Sequence, residues 1–354
     1  MTRVRARGEA LRSFILENVE AHPSDIAKIA ADKFGVSRQA INKHLRNLVN
    51  EKALTETGAT RNKSYNLCPD LEWSEWYSPS GLEEDVVWVN DVKPRLQLPE
   101  NVMRIWSYCI TEILNNAIDH SDADRISVDI KKTATATLIT IYDTGVGIFK
   151  KIMDALGLPD QGHALLELAK GGFTTDPTRH SGQGIFFSSR MVDEFYIYSR
   201  GTLFSHDIKR EKDWLTHHES TSQSGTLVSM TLKNHTARTT KKVFDDFSTA
   251  DEDGFTKTIV PVRLSQYGDE HLVSRSQAKR LLARVEKFKT VVLDFEGVSA
   301  IGHSYADEIF RVFANANPGI ELLAINTNDE VRAMINQARR TVAETKAGAL
   351  NRPE

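Results

Sequence analysis

Trp106-Ser-Tyr-Cys-Ile-Thr-Glu112-Ile-Leu-Asn-Asn116-Ala-Ile-Asp-His120 reads as the core of a helix over residues 100–121. Within it Glu112, Asn116 and His120 stand at i, i+4 and i+8, so their side chains share one helix face. A carboxylate and a carboxamide four residues apart present oxygens to one hard cation or one water. Mg²⁺ suits such a pair, because it takes few protein ligands and completes its shell with phosphate and water. A solvated polar face has the same spacing, so the helix alone leaves both readings open.

Three further stretches lie downstream. Asp143-Thr-Gly145-Val-Gly147 follows a strand at once. Its glycines permit a tight turn and a close ligand approach, and a strand-end Asp can accept from an exocyclic amine. An ordinary turn reads the same way. Phe173-Thr-Thr-Asp-Pro-Thr-Arg-His-Ser181-Gly182-Gln-Gly184-Ile185 then runs into a helix over 185–192. Small residues before a helix start leave amide N–H groups for phosphate oxygens, with the helix dipole in support. Lys170 and Arg179 are candidate phosphate contacts here, or simply exposed charges. Lastly, Ser224-Gly225-Thr226-Leu-Val228 opens a strand whose hydroxyl can reach a purine. Strands over 126–130, 138–142, 195–199 and 226–232, with a long irregular stretch between the second and third, predict a helix layer on a mixed or antiparallel sheet.

In this order the four stretches resemble the nucleotide-binding domain of gyrase, Hsp90, histidine kinases and MutL, the GHKL superfamily, over residues 99–235. The Phe-Thr-Thr-x-Pro run followed by Ser-Gly-x-Gly is most similar to the anti-sigma-factor serine kinases of bacterial partner switching. The resemblance implies ATP and Mg²⁺ as cofactors, with an ATPase or serine/threonine kinase activity. It makes Glu112 the general base or water-positioning carboxylate and Asn116 the Mg²⁺ ligand. Asp143 would read the adenine amino group with Thr226 in support, Gly145 and Gly147 would shape the turn beside it, and Thr174, Gly182 and Gly184 would meet the phosphates. His120 stands where these kinases often carry His. No hairpin bearing a histidine-kinase phosphosite precedes the domain, so ordinary histidine-kinase function is not expected.

Residues 1–67 hold twelve Lys and Arg against seven Asp and Glu, a local charge of +5 that leaves −8 on the rest of a chain with net charge −3. A basic piece on an acidic body points to an anionic partner, with nucleic acid first. Helices over 24–34 and 37–50, a turn at Gly35-Val36 and two short β-prone runs resemble a winged helix-turn-helix. Double-stranded DNA is then the expected partner. Ser37, Arg38, Gln39, Asn42, Lys43 and Arg46 would face the major groove, and Arg61 and Lys63 would sit on the wing.

Residues 68–98, with Trp73, Trp76 and Trp88, read as a packed connector, and 236–254 as a polar linker. Residues 255–340 alternate strand (258–264, 291–295, 322–326) and helix (274–288, 306–313, 330–338), with a polar tail over 341–354. Ser274-Arg-Ser-Gln-Ala-Lys-Arg280, Leu293-Asp-Phe-Glu-Gly-Val298 and Asp307-Glu-Ile-Phe-Arg-Val-Phe313 resemble the STAS-like domain fused to such ATPases. By that resemblance Ser304 is a possible phosphoacceptor. It can equally be a helix N-cap, with Asp307 completing a capping box.

The whole is an α+β multidomain expectation: a winged helix, a GHKL α/β sandwich and a STAS-like α/β domain. Across 354 residues no apolar run approaches the roughly 18 needed to span a bilayer. With only Cys68 and Cys109, a disulfide framework and a cysteine zinc site are not expected, and a reducing bacterial cytoplasm is. The combination reads as an ATP-controlled, DNA-binding transcription regulator that forms a homodimer. The alternative is a partner-switching serine kinase acting on its own STAS-like domain, or on a STAS or sigma-factor-type partner.

Overall fold

The computed structural model describes residues 3–59, 62–173, 182–207, 212–217, 224–248, 254–266 and 271–350. Among them no helix is long and apolar enough to cross a membrane.

The N-terminal unit packs α1 (Arg3–Asn18), α2 (Ile26–Phe34) and α3 (Arg38–Asn50) beneath a hairpin of β1 (Leu54–Thr57) and β2 (Ser64–Leu67). Gly35, at φ +60°, ends α2 and donates its N–H to Ala31 O. Two residues on, the Ser37 hydroxyl accepts from Ala40 N at 3.3 Å and starts α3. The inner stripe Ile41, Leu45 and Leu48 is fully buried with Ile15, Val19 and Ile26, forming a core of its own.

β3 (Leu71–Tyr77) occupies the expected connector, which is therefore no separate segment. After it come α4 (Glu84–Val87), a π-helical turn over Trp88–Val92, a 3-10 turn over Lys93–Arg95, and α5 (Glu100–His120). Next are β4 (Ile126–Lys132), β5 (Ala136–Asp143), α6 (Ile148–Leu156) and α7 (Gln161–Lys170). α8 (Gly184–Met191), β6 (Glu194–Ser199), β7 (Thr202–Asp207), β8 (Lys212–His217) and β9 (Thr226–Lys233) complete this layer. The strands form one seven-stranded sheet in the order β3-β4-β5-β9-β6-β7-β8, antiparallel throughout.

The stretch expected to be irregular is largely α6 and α7. Glycines at 147, 157 and 171 delimit these helices rather than break them, since each stands at a helix end with positive φ. β7 and β8, absent from the sequence reading, extend the sheet beyond β6. The expected linker also changes character. α9 (Thr240–Asp246) lies within it, capped by the Thr239 hydroxyl accepting from Lys242 N at 3.2 Å. Its few apolar residues dock on α8, where Phe244 meets the Phe187 ring at 4.6 Å and Phe247 meets Phe186 at 5.0 Å.

The C-terminal unit is a parallel sheet of β10 (Lys257–Pro261), β11 (Thr290–Asp294) and β12 (Glu321–Ile325), covered by α10 (Arg275–Leu282), α11 (His303–Asp307), α12 (Ala314–Ala316) and α13 (Asp329–Leu350). α11 and α12 are joined by a π-helical turn over Glu308–Phe313. The helix expected to reach residue 288 stops at Leu282, because Ala283 turns extended and Arg284 takes φ +60°. The expected polar tail is largely a continuation of α13 to Leu350. A capping box does exist, at Ser274 and Gln277 rather than at Ser304. Gly302 stands at the N-cap of α11, so Ser304 lies inside the helix and exposed, while the Asp307 carboxylate accepts from Arg311.

One contiguous apolar core runs from Val87 to Ala338 through both the seven-stranded and the three-stranded units. Phe255 links them, lying near Phe186 (4.5 Å), Phe187 (5.1 Å) and Phe288 (5.0 Å). Among the described residues, the N-terminal unit alone has a separate core.

Candidate functional site

α5 buries Ile105, Trp106, Ile110 and Leu114 completely, which turns its polar face toward a cavity of about 380 Å³. Glu112, Asn116 and His120 all line that cavity, together with Asp143, Gly182, Gly184 and Thr226. Residues scattered over more than a hundred positions therefore meet at one place.

Asp143 and Thr226 are brought together by strand register. They sit opposite each other at the ends of β5 and β9. The Asp143 carboxylate, only 5% exposed, accepts from Gly145 N at 2.9 Å and Thr226 N at 3.3 Å. Burial pushes its pKa up to about 6, against the opposing pull of the Gly145 and Thr226 amides and the Thr226 hydroxyl. The Thr226 hydroxyl also accepts from Ile148 N at 2.9 Å, which anchors the start of α6.

Gly145 is required sterically. A Cβ there would lie 2.0 Å from Ser121 O, at the end of α5, where Val146 N also donates at 2.8 Å. The turn is thus pinned to the helix that carries Glu112 and Asn116. Gly147, at φ +90°, follows as the N-cap of α6. Gly184 fills the same role at the other wall: a Cβ there would lie 2.1 Å from Glu112 Oε2. The Glu112 carboxylate thus lies against the first turn of α8, where helix dipole and backbone amides favour negative charge.

Asn116 donates from Nδ2 to Glu112 O at 2.8 Å, so the atom it could offer a cation is its carboxamide oxygen. Among the described residues no three His, Cys, Asp or Glu side chains cluster as a metal cage. A single carboxamide oxygen beside a carboxylate suits Mg²⁺, which keeps most of its shell for water and phosphate. The residues present therefore fit that ion.

Several lining residues escape a reading of the sequence: Ile148 and Ile152 of α6, Ile141 and Leu168 add to the apolar wall that Phe173 and Val228 share, and Lys151 adds a charge. The Ile148, Phe149, Ile152 spacing is the helical signal that marks α6. Cys109, on the buried face of α5, is no nucleophile, since burial pushes its thiol up to about 12.

Thr174 and Arg179 lie outside the described residues, as does Arg61. Lys170 is neither a phosphate contact nor an exposed charge. It is 1% exposed, and its Nζ donates to Glu167 Oε1 at 2.8 Å, Ala283 O at 2.8 Å and Arg280 O at 3.2 Å. A buried ammonium needs such partners, and these occupy it.

In the N-terminal unit Arg38, Gln39, Asn42, Lys43 and Arg46 are all exposed on α3, and Gln39, Lys43 and Arg46 lie opposite its buried stripe. Ser37 shares that end of the helix, but its hydroxyl serves as the cap. Lys63 is half-buried and paired with Glu56 at 2.5 Å, so its charge is locally neutralised.

A comparison with curated proteins gave no match. Two family models match. Residues 277–332 match the STAS-like domain of unknown function (DUF4325), and residues 104–236 match the family described as histidine kinase-, DNA gyrase B-, and HSP90-like ATPase. The second range begins within α5 and ends just past β9, enclosing every cavity residue named above, while edge strand β3 lies outside it. The chain therefore carries a GHKL-type ATPase domain and, sharing its core, a STAS-like domain.

Proposed function

We propose that the chain is an ATP-binding, DNA-binding transcription regulator, in which Mg-ATP held by the GHKL domain governs the winged-helix-like N-terminal unit and the STAS-like domain. The observation that carries the nucleotide half is the buried Asp143 carboxylate. It faces a cavity whose other walls are Glu112, Asn116 and the glycines 182 and 184. A buried carboxylate of weakened acidity gains by accepting a hydrogen bond from an amine such as that of adenine. Asn116 would hold Mg²⁺, which supplies charge neutralisation at the phosphates. Glu112 would orient and deprotonate the attacking water or hydroxyl. Ile148, Ile152 and Val228 would exclude water around the base.

The DNA half rests on the exposed basic and amide side chains of α3 in a unit of local charge +5. Arg38, Gln39, Asn42, Lys43 and Arg46 suit base edges and phosphates. Two-fold symmetric operators would follow from a homodimer. The test is titration of the full chain with duplex DNA, with and without saturating ATP and Mg²⁺. A change in DNA affinity on adding nucleotide is expected. Equal affinity with nucleotide demonstrably bound would sink the regulator reading.

A second reading is favoured by one observation: Ser304 is exposed on α11 and its hydroxyl is not the cap of that helix. A GHKL serine kinase would transfer the γ-phosphoryl group of ATP to the Ser304 oxygen, releasing ADP and the hydroxyl proton. The acceptor would lie in this chain, in a sister copy, or in a STAS or sigma-factor-type partner. Intact mass after incubation with Mg-ATP, beside Ser304→Ala, decides it. One added phosphate that disappears in the variant supports the kinase, and an unchanged mass removes self-transfer.

A further inference from the structure

Gly171 and Gly172 lead the chain from α7 to Phe173, a wall of the cavity. Gly172 N donates to Gly182 O at 2.8 Å, so this short run is tied to a second wall. Displacing Gly171 and Gly172 therefore displaces two cavity walls together. The carbonyls of these two glycines are taken by one ammonium, that of Lys287, at 3.0 and 2.7 Å. Lys287 belongs to the C-terminal unit, in the turn between α10 and β11.

The opposite bridge lies beside it. Lys170, the last residue of α7, reaches across to the final carbonyls of α10, Arg280 O and Ala283 O. Carbonyls at a helix end lack the intrahelical donors that those of its interior have. The Thr258 hydroxyl donates back to Lys170 O at 2.7 Å. Arg280 Nη1 donates to His163 Nε2 at 2.9 Å, while His163 Nδ1 is 2.6 Å from Asp160 Oδ2. Each unit thus donates to the other's backbone carbonyls through a lysine. Burial lowers the basicity of both ammonium groups, and the Glu167 carboxylate of α7 opposes that shift at each.

We infer that Lys287 is a positioning residue of the nucleotide cavity: by binding the Gly171 and Gly172 carbonyls, the docked STAS-like domain holds Phe173 and Gly182 in place, and docking and nucleotide occupancy are coupled. This rests on the ATP-binding reading above. In the docked arrangement the cavity is formed, with Gly171, Phe173 and Gly182 among its walls. Linkage makes the effect reciprocal, with nucleotide tightening the docking as docking tightens nucleotide.

The test uses the full chain, Lys287→Met and Lys287→Arg, each checked for native circular dichroism. A non-hydrolysable ATP analogue with Mg²⁺ is titrated calorimetrically, and amide exchange over residues 280–288 is followed with and without it. Lys287→Met is expected to bind about tenfold more weakly, and Lys287→Arg within about twofold of the native chain. Nucleotide is expected to slow exchange over 280–288 in the native chain and much less in Lys287→Met. Unchanged or tighter binding by a folded Lys287→Met overturns the coupling and leaves the ATP reading standing. So does an absence of nucleotide-dependent protection over 280–288 in the native chain, whatever the variant does. No binding by the native chain overturns both.

Discussion

Asp143 is caught between burial, which favours its neutral form, and the Gly145 and Thr226 donors, which favour the carboxylate; burial prevails and sets its pKa to about 6. Because this folded value lies above the ordinary 3.8, the native state holds the proton over the window between them. Native protein then binds more protons than unfolded, so this group's contribution to stability falls as pH rises from about 4 to about 6 and stays low above. Relative to Asp143→Asn, the native chain is expected to gain stability when pH is lowered from 7 to 5, as read from urea midpoints. Nucleotide affinity is expected to move the other way. The ionised form accepts from an amine, so binding weakens below pH 6, and Asp143→Ala loses about 2 kcal/mol, roughly thirtyfold. Calorimetric titrations between pH 5 and 8 check both. At Glu112, the Gln variant keeps the side chain's size beside Gly184 and removes the base. Nucleotide binding is expected to persist while phosphate release, or transfer, falls by about a hundredfold or more.

At the scale of an element, α3 divides its work by face. Ile41, Leu45 and Leu48 hold it to the core, while Lys43 and Arg46 are exposed and free of carboxylate ion pairs among the described residues. On the DNA-binding proposal, Lys43→Glu is expected to leave the fold intact and to weaken duplex binding at all sequences. Removing one lysine from a phosphate reduces the slope of log affinity against log salt by about one, which anisotropy titrations at several salt concentrations measure. An unchanged slope would mean that α3 does not meet the backbone through this residue. On the hairpin, Lys63→Ala is expected to change the slope little, because Glu56 already neutralises that charge.

Among the described residues the molecule has two apolar cores, one of them common to the GHKL and STAS-like units. The GHKL and STAS-like units share one apolar cluster through Phe186, Phe187, Phe247, Phe255 and Phe288, whereas α1, α2, α3, β1 and β2 enclose their own. Scanning calorimetry is expected to show two transitions, the smaller belonging to the N-terminal unit. Phe247→Ala, removing a ring that is 7% exposed, is expected to cost about 3 kcal/mol in the larger transition and nothing in the smaller. Separate melting of the two C-terminal units would contradict a shared core. Such sharing is also what lets Lys287 act on a site in another unit.

The face of α5, the turn after β5 and the helix–turn–helix spacing around Gly35 were legible in the sequence, because each is set by local rules. Helical period places Glu112 above Asn116 whatever surrounds them, and glycine permits backbone that other residues refuse. The sequence could not place β3 at the edge of the seven-stranded sheet or α9 against the phenylalanines, since a half-apolar strand or a short polar helix is assigned by the surface it finds. Lys170 is the sharpest case. Its place beside the Phe173–Ile185 stretch suggested a phosphate contact or an exposed charge, and the fold buries it among carbonyls more than a hundred residues away. Local periodicity and backbone sterics belong to the chain itself, whereas the partner of a buried ammonium exists only once distant segments have packed.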